Sequence, residues 1–164
     1  MDDPLAYVTN ANVSLLEEVK LQAQVILPVL RSLRAEIGKD KADRIVGDAL
    51  RKWAHDLYHR IGDGKAGTPR QKWDAVWAED MRPRIGDAVD RDMLKDDGTV
   101  REYNVTRCQY AEFFRGLGEP ELGAILLCDS DFHIAEIGGA NVEFKRTQTI
   151  MQGAAYCDFR YRFK

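Results

Sequence analysis

The hydrophobic pattern of this chain changes its period near the middle, and that change limits the folds open to it. From Leu15 to Ile37, apolar residues recur every three or four positions, as on one face of an α-helix. From Val100 to Thr106, apolar and polar residues alternate instead, as in a half-buried β-strand. Helices followed along the chain by strands are typical of an α+β domain.

The helical half carries recognisable start and stop signals. Ser14 and Glu17 have the spacing of a capping box at the start of the first predicted helix, and Gly38 ends that helix. A second helix is predicted from about residue 40 to 61. Thr68, which is followed by proline, starts a third.

The second half is predicted to alternate between strands and short helices. Asp96-Asp97-Gly98 is a turn signal before the strand at Val100, and residues 89–94 are a candidate hairpin partner. Further helices and then strands are predicted at about residues 110–117, 120–128, 141–148 and 155–163. We therefore expect N-terminal helices packed on a C-terminal antiparallel sheet with short helices.

Length and composition favour a single domain, residues 1–164, with a helical half over about residues 1–85 and a mixed half over about residues 86–164. A net charge of -3 argues against nucleic-acid binding. No apolar run approaches ~18 residues, which argues against a membrane span. The acidic start, residues 1–4, and the odd number of cysteines favour a cytoplasmic protein with free thiols. The sequence leaves a homo-oligomer open.

Three cysteines, Cys108, Cys128 and Cys157, lie in the last third of the chain, each close to acidic or hydroxyl-bearing residues. A thiolate is both a nucleophile and a metal ligand, so this clustering points to chemistry. The alternative for each cysteine is a small buried core residue. We expect the cysteine-bearing segments to meet around one small cleft.

The last predicted strand separates two candidate residues. Its alternation puts Cys157 on the apolar face and Asp158 on the other, so both cannot line one pocket unless a bulge turns one of them. Arg146, on the preceding predicted strand, is either an anchor for a substrate carboxylate or part of a surface ion pair.

Histidines and cysteines also raise the question of a metal site. His55 and His59, with Asp56 between them, have the spacing of a zinc-binding helix. They lie opposite the apolar stripe of their helix, so we expect them to be exposed, without a third ligand. A second conceivable set comprises Cys108, Cys128, Asp131, His133 and Cys157. It lacks the closely spaced cysteine pairs of structural zinc sites, so we expect no metal.

An ordered series of short motifs between residues 103 and 161 resembles the L-2-amino-thiazoline-4-carboxylic acid hydrolase family. The motifs are Asn104-Val105-Thr106-Arg107-Cys108-Gln109-Tyr110, Leu117-Gly118-Glu119-Pro120-Glu121-Leu122, Cys128-Asp129-Ser130-Asp131, Arg146-Thr147-Gln148-Thr149-Ile150-Met151-Gln152-Gly153 and Cys157-Asp158-Phe159-Arg160-Tyr161. The helical half is similar to the family only in general character. The closing motif also resembles the endings of vinyl-reductase-type ligand-binding domains.

The resemblance implies a hydrolase that acts on a carbon–nitrogen bond outside peptides, without an organic cofactor. It would open a cyclic isothiourea, converting 2-amino-thiazoline-4-carboxylate to N-carbamoyl-cysteine, or a related small ring with a C=N or amide bond. The alternatives are a domain that binds a small apolar or tetrapyrrole-like ligand without chemistry, and a zinc-dependent hydrolase.

Two routes to ring opening are compatible with these residues. In the first, Cys157 or Cys128 attacks the ring as a covalent nucleophile, and Cys157 is the preferred choice. In the second, Asp131 or Asp158 is the general base for water. The residues expected to bind the substrate are Arg146, Thr149, Asn104 and Cys108.

Overall fold

The computed structural model of the protein describes residues 12–137 and 139–164, so the acidic N-terminus considered above lies outside the described residues. The described residues form helices α1 (Leu15–Ile37), α2 (Lys39–Asp63), α3 (Pro69–Val76), α4 (Arg82–Ile85), α5 (Gln109–Gly116), α6 (Pro120–Gly123) and α7 (Ser130–Glu136). The strands are β1 (Val89–Asp96), β2 (Val100–Cys108), β3 (Val142–Lys145) and β4 (Cys157–Phe163). The α+β prediction is confirmed. Within the described residues, no helix has the length and apolarity needed to cross a bilayer.

The two long helices form a pair whose ends follow from local chemistry. The side chain of Ser14 accepts a hydrogen bond from the backbone N–H of Glu17 at 3.2 Å, which confirms the predicted start of α1. Gly38 separates α1 from α2 with a φ of 85°, a conformation that favours glycine. Arg34 of α1 then donates to Asp43 of α2 at 2.6 Å, which joins the two helices.

Two helical runs contain a π-helical turn, and both turns reach the interior. Residues 77–81 form one such turn between α3 and α4, and residues 124–128 form the other between α6 and α7. A π-turn widens the helix by one residue per turn and is frequent at functional sites. Here the two turns contribute Trp77, Met81 and Cys128 to the same internal cavity.

The sheet has the order β1-β2-β4-β3, and every neighbouring pair is antiparallel. The predicted hairpin partner of β2 is confirmed as β1. β4 alternates as predicted, so Cys157 is buried on the inner face while Asp158 is half-buried on the other. β3 ends at Lys145, earlier than predicted, because the backbone N–H groups of Thr147 and Gln148 donate to the side chain of Asp158 instead of continuing the strand ladder.

The inner face of the sheet and the helices bury three clusters of side chains. The first lies among α1, α2, α5 and α6, and the second lies between the sheet and Trp73 of α3. The third lies where α2 meets α7, around Tyr58, Ile134 and Ile137. An internal cavity lies where these clusters adjoin.

Close packing at α6 leads to a testable prediction. A Cβ atom added at Gly123 would lie 2.6 Å from Cγ of Phe114 and 2.7 Å from Sδ of Met151. Gly123→Ala is therefore expected to lower the free energy of unfolding by about 1–3 kcal/mol, as overpacked cores do. The measurement is urea denaturation of the variant beside the natural protein.

The matched control is Gly116→Ala at the end of α5, where an added Cβ would have no neighbour within 4 Å. That substitution should be neutral or stabilise the protein by up to about 1 kcal/mol, because alanine loses less backbone entropy on folding. Equal stability of the two variants would contradict the packing described for α6.

Candidate functional site

A cavity of about 140 Å³ lies between the inner face of the sheet and the surrounding helices. All three cysteines line it, so the cysteine-bearing segments meet at one place as the sequence predicted. Asp131 at the start of α7 and Arg146 after β3 line the same cavity. Five of the eight predicted site residues are thus brought together.

Aromatic side chains form a substantial part of the remaining wall. The aromatic side chains that line the cavity are Trp53, Tyr58, Trp73, Trp77, Tyr103, Tyr110, Phe159 and Tyr161. Tyr103 and Phe159 stack across the two central strands with their ring centroids 4.9 Å apart. Such a wall offers flat apolar surfaces on which a small ring can pack.

Asp131 and Arg146 form a buried ion pair at the cavity. One terminal nitrogen of Arg146 contacts the Asp131 carboxylate and also donates to the backbone carbonyl of Cys128 at 2.9 Å. The Arg146 side chain is only 6 % exposed, and its guanidinium carbon lies 5.1 Å from the ring centre of Phe132. Arg146 is therefore held on several sides and fixes the position of the carboxylate.

The acidity of Asp131 is altered by its surroundings. Burial raises the pKa of this carboxyl to about 7, although the positive charges of Arg146 and Arg91 act in the opposite direction. Its side chain keeps 25 % of its area accessible, and it lines the cavity. A carboxyl that titrates near neutral pH can both take up and release a proton, which is the requirement for general acid–base chemistry.

Burial has a different consequence for the three thiols, because a raised pKa makes a thiol less reactive near neutral pH. It raises the pKa of Cys108 to about 11 and raises those of Cys128 and Cys157 above the ordinary range of a thiol. Cys157 accepts a hydrogen bond from the backbone N–H of Ile150 at 3.2 Å, and Cys108 accepts one from that of Ala111 at 3.4 Å. Near neutral pH all three sulfurs are therefore thiols, the weakly nucleophilic form.

Three predicted site residues do not line the cavity. The carboxylate of Asp158 accepts hydrogen bonds from Thr147 and Gln148, which outweigh the effect of burial and lower the pKa of Asp158. Asn104 lies opposite Asp158 in the sheet and accepts a hydrogen bond from Arg160 at 2.8 Å. The hydroxyl of Thr149 is buried and accepts from the backbone N–H of Gln152 at 3.1 Å, capping a short 3₁₀ turn.

Sequence reasoning missed Arg91, a second arginine at the cavity. Its guanidinium carbon lies 4.6 Å from the ring centre of Trp77 and 5.9 Å from that of Tyr103. Its Nε has no hydrogen-bond partner among residues 12–137 and 139–164, and burial lowers its pKa. The sequence signal that could have identified Arg91 is its position two residues after Val89, because residues two apart on a strand face the same side.

Two further polar groups of the cavity wall lack partners. Neither Nε1 of Trp73 nor the hydroxyl of Tyr110 has a hydrogen-bond partner within the part of the chain that the structure describes. Buried donors without partners are costly, which makes these two groups candidates for hydrogen bonds to a bound molecule. The cavity thus combines aromatic surfaces with polar groups able to orient a ligand.

A separate cluster lies at the surface, where α2 meets α7. His55 and His59 are exposed as predicted, and the structure places beside them a carboxylate that the sequence did not indicate, that of Glu136. The ligand atoms of His55, His59 and Glu136 all lie within 4.8 Å of one another. His133 belongs to this surface too, since its Nδ1 lies 3.2 Å from Glu136, and it does not line the cavity with the cysteines. Sequence analysis missed Glu136 because α7 was not predicted.

Comparisons with known proteins bear on the family. The structure is similar to the crystal structure of the phenol-responsive sensory domain of the transcription activator PoxR with phenol. The TM-score is 0.46 and the identity 11 %, and the match covers 85 % of this chain and 73 % of that chain. No curated protein matches the sequence.

The sequence model of L-2-amino-thiazoline-4-carboxylic acid hydrolase matches residues 18–161. This span includes α2, most of α1 and every motif on which the resemblance was based. The chain therefore belongs to the L-2-amino-thiazoline-4-carboxylic acid hydrolase family.

Proposed function

We propose that this protein hydrolyses a small cyclic isothiourea or amidine, such as 2-amino-thiazoline-4-carboxylate, with Asp131 as general base and acid. The observation that carries the proposal is a carboxyl group at an aromatic cavity whose pKa burial raises to about 7. Such a carboxyl can accept a proton from water and return it to the substrate within one catalytic cycle. Family membership supports the same reaction class.

The size of the cavity supports a small ring as substrate. A cavity of about 150 Å³ lined by apolar side chains is large enough for benzene, and this one measures about 140 Å³. A five-membered thiazoline ring is comparable in size to benzene. Stacked aromatic side chains such as Tyr103 and Phe159 would pack on its faces.

Arg91 is proposed as the anchor for the substrate carboxylate. The sequence favoured Arg146 for this role, but its guanidinium is already engaged by Asp131 and by the carbonyl of Cys128. Arg91 lines the same cavity and has an Nε without a partner in the described residues. A charge-assisted contact to a carboxylate would satisfy this buried group, and Arg146 would instead position Asp131.

The proposed reaction adds one water molecule to the ring. The water oxygen bonds to the carbon between nitrogen and sulfur, while Asp131 accepts one water proton and passes it to the ring nitrogen. Collapse of the tetrahedral intermediate breaks the carbon–sulfur bond, and the hydroxyl proton moves through Asp131 to the departing sulfur. The product is N-carbamoyl-cysteine, and no oxidant or reductant is required.

The acidities of the cavity groups favour the water route over the covalent cysteine route. Near neutral pH the three thiols are protonated because they are buried, and the backbone hydrogen bonds to Cys108 and Cys157 do not offset that effect. Asp131 has the more suitable acidity for its task. We propose that Cys108, Cys128 and Cys157 shape the cavity, and that Asp158, Asn104 and Thr149 hold the backbone around it.

Binding without chemistry is the second candidate function, and the aromatic wall favours it. A purely binding cavity, however, has no need of a proton-transferring carboxyl beside a buried arginine whose Nε lacks a hydrogen-bond partner among the described residues. Asp131 and Arg91 therefore favour the hydrolase. Tight binding of 2-amino-thiazoline-4-carboxylate with no release of a thiol product would instead support the binding function.

Replacing the proposed base tests the mechanism. Asp131→Asn is expected to lower turnover of 2-amino-thiazoline-4-carboxylate by about 10²- to 10⁴-fold, because general acid–base catalysis typically contributes that much. Turnover is followed by release of the product thiol. The control is Asp63→Asn, since Asp63 is exposed at the end of α2 and does not line the cavity. A loss of only a few-fold in Asp131→Asn would exclude it as the base.

The pH profile is a second readout of the same group. Water activation requires ionised Asp131, so kcat/KM should rise with pH and level off above an inflection near pH 7. In Asp131→Asn the residual activity should lose this inflection. An unchanged inflection in that variant would assign the titrating group elsewhere.

The anchor role of Arg91 separates binding from chemistry. Arg91→Gln is expected to raise KM for 2-amino-thiazoline-4-carboxylate by about 10- to 100-fold, the usual cost of losing a hydrogen bond to a charged group. KM for 2-amino-thiazoline, which lacks the carboxylate, should not change. Arg107→Gln, at an exposed arginine of β2, is the matched control. Equal effects on both substrates would refute the anchor role.

Replacing the thiol of Cys157 tests its role, because the water route and the covalent cysteine route predict opposite effects on turnover. If this thiol only shapes the cavity, Cys157→Ser should keep turnover within about tenfold of the natural protein, in line with a small packing change. Circular dichroism checks that the variant is folded. Complete loss of activity in a folded variant, together with a covalent adduct detected by mass spectrometry in the natural protein, would restore the nucleophile role.

A further inference from the structure

All three histidines of this chain lie on one small surface, where α2 meets α7. His55 and His59 are one helical turn apart on α2, and their ring centres are 4.2 Å apart. His133 and Glu136 stand three residues apart on α7, and the His133 ring centre is 5.6 Å from that of His55. The surface is separate from the cavity, because none of these four residues lines it.

Three of these side chains lie close enough together to converge on one metal ion. The ligand atoms of His55, His59 and Glu136 lie within 4.8 Å of one another. Zinc–nitrogen bonds of 2.0–2.1 Å in a tetrahedral site place ligand atoms about 3.4 Å apart. The side chains are 48 %, 45 % and 48 % exposed, so small rotations can close the remaining distance without disturbing the core.

Neighbouring groups orient two of these ligands. Nδ1 of His55 lies 3.2 Å from the carboxylate of Asp56, which can only accept a hydrogen bond while it is ionised. The same carboxylate pairs with Lys52 at 2.9 Å. A hydrogen bond donated by Nδ1–H of His55 leaves the lone pair for a metal ion on Nε2. Metal-binding histidines in proteins commonly donate their other ring N–H to a carboxylate in this way.

Glu136 is oriented from its own helix. Its carboxylate lies 3.2 Å from Nδ1 of His133 and 3.7 Å from Nε2 of His59. His133 is better covered than the other two histidines, with a side chain 16 % exposed. It is therefore suited to hold Glu136 in place, while the more exposed histidines of α2 face the ion.

We propose that His55, His59 and Glu136 bind one divalent transition-metal ion of the zinc type, and that the ion ties α7 to α2. Two imidazoles and a carboxylate form a ligand set that suits zinc and its first-row neighbours, and water completes the fourth position. The ligands come from two helices, so the bound ion would link α2 to α7.

The link bears on the cavity through α7. This helix carries Asp131 at its start and Glu136 at its end. An ion bound at Glu136 would stabilise the docking of α7 on α2 and, with it, the position of Asp131. The metal site uses none of the cavity residues, so it stands or falls independently of the hydrolase proposal.

The test uses the full chain without an affinity tag, stripped with a chelator and titrated with ZnCl₂. Calorimetry is expected to show one ion bound per chain, and NMR should show the imidazole signals of His55 and His59 shifting together. Zinc should also raise the temperature of unfolding, because the ion binds the folded state. Imidazole signals that do not move would overturn the proposal.

Variants locate the site. His55→Asn combined with His59→Asn, and separately Glu136→Gln, should weaken zinc binding by at least about 100-fold, since even outer-shell changes cost 10- to 100-fold. Glu121→Gln, at an exposed glutamate of α6, is the matched control and should bind as the natural protein does. Undiminished binding in the histidine variant would overturn the proposal.

Cobalt distinguishes this site from the cavity thiols. Co²⁺ bound to imidazole and carboxylate gives visible ligand-field bands but no sulfur-to-metal charge-transfer band in the near ultraviolet. A strong charge-transfer band that disappears in Cys128→Ser would assign the ion to the cysteines and contradict the surface site. Its absence, with ligand-field bands lost in Glu136→Gln, would support the site between α2 and α7.

Discussion

The contact between Asp131 and Arg146 determines how the rest of the molecule closes around its cavity. The two residues belong to α7 and to the segment after β3, and the same arginine also binds the carbonyl of Cys128. Removing a carboxylate and a guanidinium from water is costly, and breaking such a pair leaves an uncompensated charge in the interior. The segment after β3, the π-helical turn of residues 124–128 and α7 are thereby held together around the cavity.

The same enclosure sets the chemistry that this space can support. Low polarity disfavours charged forms, so it raises the pKa values of carboxyls and thiols alike. For Asp131 the raised pKa lies near neutral pH, where the carboxyl can exchange a proton. For Cys157 the change leads away from the reactive thiolate. One physical cause thus favours the carboxyl and disfavours the cysteines, which the sequence had placed first.

Sequence patterns correctly predicted the features that depend on local interactions. The cap at Ser14, the stop at Gly38 and the inward side of Cys157 follow from neighbouring residues, and the structure confirms them. The roles of Arg91 and Glu136 depend on tertiary contacts between distant segments. β1 is polar along most of its length, so only the spacing of Arg91 from Val89 marked its inward side, and α7, a short helix after a π-turn, gave no periodic signal.

The most direct measurement is the pKa of Asp131 itself, obtained from the ¹³C carboxyl signal in protein labelled at aspartate, with Asp131→Asn used for assignment. A midpoint near pH 7 is the expected result, because the cavity disfavours the charged form. A midpoint near 4, as for an aspartate in water, would contradict the account, since the carboxyl would then be a fixed charge and a poor proton carrier.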